Sequence, residues 1–279
     1  MIPATVLITT LNEEKNLPRC LSALKDFDEV IIVDSNSKDK TKEIADRFGV
    51  PVVPFTWNGV YPKKRQWCLD HLNLKNDFVF FVDADEFVSL ELVQEIYSLS
   101  FEVAGYFIKG QYIWDEKILG YGLKNNKLAL FNRHKIEFSV IDDLDIKGMG
   151  EMEGHYQPVL KPDHKDAKLV QLNESLLHYA YENAEQWNNR HARYARWEAE
   201  MIKRQAYPKD PNVLRERMKA VFRRLPCRGF IAFLHSYIVK CGFLDGCAGF
   251  QFAKSRYHYY KQVERALKNG HVSSNKVAH

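Results

Sequence analysis

Up to residue 90 the chain alternates short apolar runs with stretches in which apolar positions recur every three to four residues. Residues 5–11 form the first apolar run, short enough for a buried strand. Asn16-Leu17-Pro18 then has the form of a helix start, Asn as cap and Pro in the first turn, with Leu17, Leu21 and Leu24 following at i, i+4, i+7. A second strand is predicted over 29–33, and a helix through Ile44 and Phe48 that stops at Gly49. A third strand is predicted over 51–55. Lys63-Lys64-Arg65 opens another helical stretch carrying Trp67, Leu69 and Leu72, and a fourth strand begins at Phe78. Strands alternating with helices in this way predict an α/β fold with a mainly parallel sheet and right-handed crossovers.

Beyond residue 90 the pattern changes. Residues 90–99 read as a helix, and 105–113 and 127–132 as strands that extend the sheet into a mixed one. Glycines, acids and a histidine cluster over 148–156, a loop composition. From Glu182 the period is helical, with Trp187, Tyr194, Trp197 and Met201 near one face; Asn183 with Gln186 resembles a capping box. The Trp side chains are expected to pack rather than to bind sugar. The reading divides the chain into 1–180, a helical region over 181–268, and a tail over 269–279 of disordered character.

Composition adds two constraints. Five cysteines at irregular spacing suit neither a disulfide framework nor a zinc site, and Met1-Ile2-Pro3-Ala4 enters a strand pattern without the basic start of a signal peptide, so a cytoplasmic location is expected. The net charge of +4 conceals an asymmetry: residues 181–279 hold 19 Lys and Arg against 8 Asp and Glu, a net +11, which leaves −7 for 1–180. A basic C-terminal third suits an anionic partner, either nucleic acid or a membrane surface.

The candidate chemistry lies at strand ends. The run Phe78-Val79-Phe80-Phe81-Val82 leads directly into Asp83-Ala84-Asp85-Glu86, where a period of two aims Asp83 and Asp85 the same way, toward one hard cation that also holds phosphate oxygens. An acidic turn explains the same letters. Thr9-Thr10-Leu11-Asn12-Glu13-Glu14 and Val33-Asp34-Ser35-Asn36-Ser37 end on the same sheet edge, where open parallel sheets bind ligands. Their hydroxyls and carboxylates suit a base and a ribose, although Thr9, Asn12 and Ser35 to Ser37 also suit turns. Asp34, directly after a buried strand, requires a partner. Lys64 and Arg65 offer charge to a diphosphate or face solvent. No Gly-x-Gly-x-x-Gly or Walker A motif is present.

Taken together, these three segments resemble family 2 glycosyltransferases, which have the GT-A fold. Leu176-Leu177-His178-Tyr179 and the segment 237–246 are similar to the branch of bacterial lipopolysaccharide core β-glycosyltransferases. The resemblance implies a GT-A catalytic domain over 1–180 with a basic helical, acceptor- or membrane-associated region behind it. It implies an inverting, metal-dependent enzyme of cell-envelope biosynthesis that moves a sugar from a nucleoside-diphosphate donor, expected to be a UDP-sugar, to a lipid-linked or cell-surface glycan. The nucleotide would be held by Thr9, Leu11, Glu13, Asp34, Ser35, Lys64 and Asp83. Mn2+ or Mg2+ would be held by Asp85 with Asp83, and the base would be Glu153 or Glu151. His155 and His178 are accessory candidates for metal or phosphate, or structural hydrogen-bonding groups. At Leu11 many family members carry an aromatic residue that stacks on the nucleobase.

The C-terminal third bears on the acceptor. Arg223-Arg224-Leu225-Pro226-Cys227-Arg228 leads into an apolar run over 229–239 that is too short to span a bilayer. It reads either as an interfacial element on anionic lipid at the inner membrane face or as a core helix with a basic rim. Two other functions fit less of the sequence: a nucleotidyltransferase on a related sheet, and a nucleotide sensor whose basic third binds nucleic acid. No nucleic-acid motif supports the latter. A phosphatase of the Asp-x-Asp type is disfavoured by Phe87.

Overall fold

The computed structural model describes residues 1–114, 116–146, 149–151, 156–179 and 184–273, without the side chains of 184–186, 188–189 and 269–273. The described strands are β1 (Ile2–Thr10), β2 (Phe27–Asp34), β3 (Val52–Pro54), β4 (Phe78–Asp83), β5 (Glu86–Val88), β6 (Gly105–Trp114), β7 (Lys117–Ile118), β8 (Asn125–Asn132), β9 (Ile136–Glu137), β10 (Val159–Leu160) and β11 (Leu169–His178). The α-helices are α1 (Leu17–Ser22), α2 (Thr41–Arg47), α3 (Lys64–His71), α4 (Leu90–Tyr97), α5 (Ala184–Arg204), α6 (Val213–Arg224), α7 (Arg228–Leu234) and α8 (Gly246–Ser273). The chain forms two compact units, one of residues 1–112, 124–140 and 157–180, the other of 113–123, 141–156 and 181–279.

In the first unit the main sheet has the order β3-β2-β1-β4-β8-β6-β11-β5. The β-α alternation places β3, β2, β1 and β4 in parallel, and β8 then enters antiparallel between β4 and β6. This is the mixed, mainly parallel sheet expected from the sequence. Burying both faces of the parallel strands explains their apolar runs: Val6, Ile8, Ile32, Phe80 and Val82 are all buried in one core with Leu17, Leu21 and Leu92. Each such side chain contributes ~1.5–3 kcal/mol. Gly105 is required where β6 crosses β8, since a Cβ there would come within 2.8 Å of Phe131 Cβ.

Local signals were partly as expected. Gly49, at φ +67°, follows the end of α2. Asn16 does occupy the cap of α1, yet its side chain makes no capping bond; it donates to Glu13 and accepts from Arg19 instead. Strands β5 and β11 were not predicted. In the second unit Trp187, Ala195 and Ala199 of α5 pack on Tyr259 and Val263 of α8. Trp197 is fully buried, donates to Asp143 at 2.9 Å and stacks on Tyr156. Helix α8 continues past Lys268 to Ser273, so the tail read as disordered from 269 is helical at its start. Residues 274–279 and the Asn183 half of the capping box lie outside the described residues.

Candidate active site

The parallel registers carry three segments to one edge of the first unit's sheet. Thr9 pairs with Val33 on one side and Asp83 on the other, and Thr10 with Asp34, so the ends of β1, β2 and β4 are level. Asp34 is buried there and finds the partners its position demands: Thr10 Oγ1 donates at 2.7 Å, Ser37 N at 2.8 Å and Ser37 Oγ at 2.5 Å. The loops after β1 and β2 are joined as well. Asn12, at φ +59°, accepts from Lys38 N, its own N–H donates to Ser37 Oγ, and Glu13 N and Glu14 N donate to Thr41 and Asp39. Thr9 and Ser35 are half-buried beside them, Ser35 N bonding to Thr10 O, while Leu11 is exposed at the rim. Glu13 accepts from Asn16 Nδ2.

At the acidic segment the expectation of two alike carboxylates on one strand needs correction. Strand β4 ends at Asp83, and Ala84-Asp85 form a turn before β5, so the period of two does not extend to Asp85. The two carboxylates take different partners. Asp83 receives Arg65 Nη2 at 2.8 Å and Lys127 Nζ at 3.3 Å; Asp85 faces His178 Nε2 at 3.5 Å. Glu86, only 1% exposed, is internal: it accepts from Asp83 N at 2.9 Å and pairs closely with Lys127. Tyr179 N donates to Asp85 O at 2.7 Å, which ties the turn to the end of β11.

These pairings set the charges. Desolvation acts to raise Asp83, yet Lys127 and Arg65 hold its carboxyl well below the ordinary range. Burial prevails at Glu86, whose pKa is raised above 4.5 despite Lys127. Desolvation opposes charge on His178, but Asp85 and then Glu86 outweigh it and raise the imidazole above 6.5. The His178 ring stacks on Tyr112, and its buried Nδ1 has no hydrogen-bond partner among the described residues. Cys20 Sγ lies 3.8 Å from Asp83 O, its thiol kept protonated by burial and the nearby carboxylates.

Lys64 is not the solvated helix-face residue that its letters permit: it is 7% exposed, at the first turn of α3, with its ammonium 5.8 Å from the Phe55 ring centroid. Lys127 was missed by sequence reasoning altogether. Of the proposed bases, Glu151 is half-buried in a turn of the second unit; Glu153 and His155 lie outside the described residues. Among the described residues no three His, Cys, Asp or Glu side chains are grouped to hold a cation by themselves. Asp85 and His178 nevertheless form a carboxylate-imidazole pair, which, once the imidazole gives up its proton, fits a divalent cation that takes its other ligands from phosphate oxygens and water.

The Glycosyl transferase family 2 model matches residues 5–143, a segment that contains all three strand ends. The chain belongs to glycosyl transferase family 2. Relatives of this family 2 chain include an uncharacterized glycosyltransferase of Rickettsia bellii, 40% identical over 93 residues, which are 33% of this chain and 31% of that protein. The lipopolysaccharide core biosynthesis glycosyltransferase LpsC of Rhizobium meliloti is 30% identical over 129 residues, 43% of this chain and 45% of LpsC. The match therefore spans about a third of the Rickettsia protein and under half of LpsC. Among solved structures, the mannosyltransferase PcManGT from Pyrobaculum calidifontis, in complex with GDP-Man and Mn2+, superposes with a TM-score of 0.53 at 13% identity, covering 95% of this chain and 87% of that one. The likeness is one of fold, and the fold is GT-A.

Proposed function

We propose that this family 2 chain is an inverting, metal-dependent glycosyltransferase that uses a nucleoside-diphosphate sugar. The observation that carries the reading is the convergence of the Asp34 cluster, Asp83 and the Asp85–His178 pair on one sheet edge. The carboxylate and hydroxyls at Asp34, Thr10 and Ser37 offer acceptors and donors to a base and ribose. Arg65 and Lys127 fix Asp83 in its charged form, so that it accepts hydrogen bonds from sugar hydroxyls rather than protons from solvent. Asp85 and His178 would hold Mn2+ or Mg2+, which supplies neutralising charge to the departing diphosphate. Lys64, at the first turn of α3, adds a second positive group for the same anion.

Inversion requires a base for the acceptor hydroxyl, a role worth about 10²–10⁴-fold in rate; Glu153 or Glu151 is assigned to it, and His155 to acceptor or phosphate contact. The acceptor is proposed to be a lipid-linked or surface glycan such as lipopolysaccharide core, supported by the likeness to LpsC.

The reading is tested by melting the protein with nucleotide sugars, with and without Mn2+. A donor at 100 times its Kd stabilises by about 2.7 kcal/mol. The stabilisation is expected only with Mn2+ and is lost in Asp85→Asn. Release of pyrophosphate from a nucleoside triphosphate, without sugar transfer, would replace the proposal with a nucleotidyltransferase.

A further inference from the structure

In the second unit the amphipathic pattern of α6 is inverted. The side that packs within the unit is charged and aromatic. Arg215 Nε and Lys219 Nζ donate to Asp210 at 2.6 and 2.7 Å, Arg223 lies 3.7 Å over the Tyr207 ring, and Phe222 meets Tyr260 edge-on. A second side carries Leu214, Met218 and Val221 at i, i+4, i+7, and these are 69%, 63% and 60% exposed. No residue of α6 is buried. A helix that keeps its polar groups inside and its apolar stripe outside has the wrong pattern for water on that side.

The apolar exposure continues through the next elements of the unit. Phe230, Leu234 and Ile238 recur every four residues along α7 and the π-helical turn His235–Val239, all exposed, and Phe243 and Leu244 follow in the turn Gly242–Asp245. That last turn is held in place because Gly249 of α8 packs directly on the Gly242 carbonyl, leaving no room for a Cβ. Exposed apolar surface of this extent marks contact with another molecule.

Charge identifies the partner. Between 211 and 254 there are eight Lys and Arg and two carboxylates. Both carboxylates are engaged: Glu216 with Arg223, and buried Asp245 with the N–H groups of Gly120 and Tyr121. Arg217, Arg224, Lys240 and Lys254 are exposed. A second copy of the chain would oppose like charges across such a face, whereas an anionic bilayer supplies both the apolar layer and the countercharge.

Among the described residues no single helix is long and apolar enough to cross a membrane. The pair Arg228–Val239 and Gly242–Lys268 reaches that length only together, with a 74° bend, and α8 buries Phe252, Ala253, Tyr259 and Val263 inside the unit. We propose that α6, α7 and the turn after them form a face that docks the protein on an anionic lipid bilayer, lying among the headgroups without crossing.

Co-sedimentation with vesicles tests this, independently of donor chemistry. The wild-type chain is expected to sediment with vesicles of equal parts phosphatidylglycerol and phosphatidylcholine, weakly with phosphatidylcholine alone, and less as salt is raised. The Met218→Glu/Val221→Glu double variant should partition about tenfold less, with unchanged circular dichroism and melting, because both side chains are exposed. Equal binding by the variant, equal binding to both vesicle types, or no binding at low salt overturns the proposal. So does a concentration-dependent dimer that the same variant abolishes, which would assign the face to a second copy.

Discussion

Replacing Lys127 with Met removes the cation between Asp83 and Glu86 and nearly preserves side-chain volume. Asp83 keeps Arg65, 2.8 Å away, so the cost falls on Glu86, which is 1% exposed and loses the cation at its Oε2, keeping there only the Asp83 N–H among the described hydrogen bonds. Breaking a buried ion pair from one side costs about 3–5 kcal/mol. Glu86 has an alternative, since burial already raises its pKa, and taking up a proton caps the penalty at about 1.4 kcal/mol for each unit by which the ambient pH exceeds the unfolded value of 4.5. A loss of about 2–3 kcal/mol at neutral pH follows. The sign is fixed: a carboxyl with a folded pKa above its unfolded value binds more protons when folded, so its penalty grows as pH rises through the folded pKa and is absent below about 4.5. Urea denaturation of Lys127→Met and wild type at pH 7.5 and pH 5 measures this, and the deficit should shrink at pH 5. Adding Glu86→Gln should recover much of the loss at pH 7.5 and make the remainder insensitive to pH. Equal deficits at both pH values, or no deficit at pH 7.5, would refute the assignment of Glu86 as a charged internal partner.

Two further substitutions address the side of the site proposed to hold the nucleotide. Thr10→Val removes the 2.7 Å hydrogen bond to Asp34 with little change in shape; it should cost about 1–2 kcal/mol in denaturation experiments and weaken nucleotide binding in titration calorimetry. Asn12 has φ +59°, so Asn12→Ala should be about 1 kcal/mol less stable than Asn12→Gly, both having lost the bond to Lys38 N. Equal stability of the pair would mean that the loop relaxes out of the left-handed region.

The parallel half of the sheet was legible because each of its strands is a buried apolar run followed by a helix of clear period. That alternation also predicts which strand ends share an edge, and so Asp34 and Asp83 were found together. Lys127 was not legible. It belongs to β8, and only the antiparallel insertion of β8 beside β4 brings it to Asp83 and Glu86, a long-range pairing that no local period encodes. The error at Asp85 arose from extending strand geometry through a turn. The burial of Glu86 and Lys64 was not legible either, because charge suggests exposure, while the structure buries one against Lys127 and the other at the first turn of α3. The exposed stripe of α6 was equally hidden, since its letters suit a core helix until the inward side is known to be charged.

The lacing between the loops after β1 and β2 also bears on how a ligand is chosen. Asn12, Glu13 and Glu14 are tied to Ser37, Lys38, Asp39, Lys40 and Thr41 by hydrogen bonds that run in both directions between the two segments. Two loops so joined cannot open separately, and their ordering entropy has already been lost in folding rather than at the moment of binding. Under the proposed function, this corner would meet a nucleoside as a fixed template and select among bases by fit rather than by adjustment.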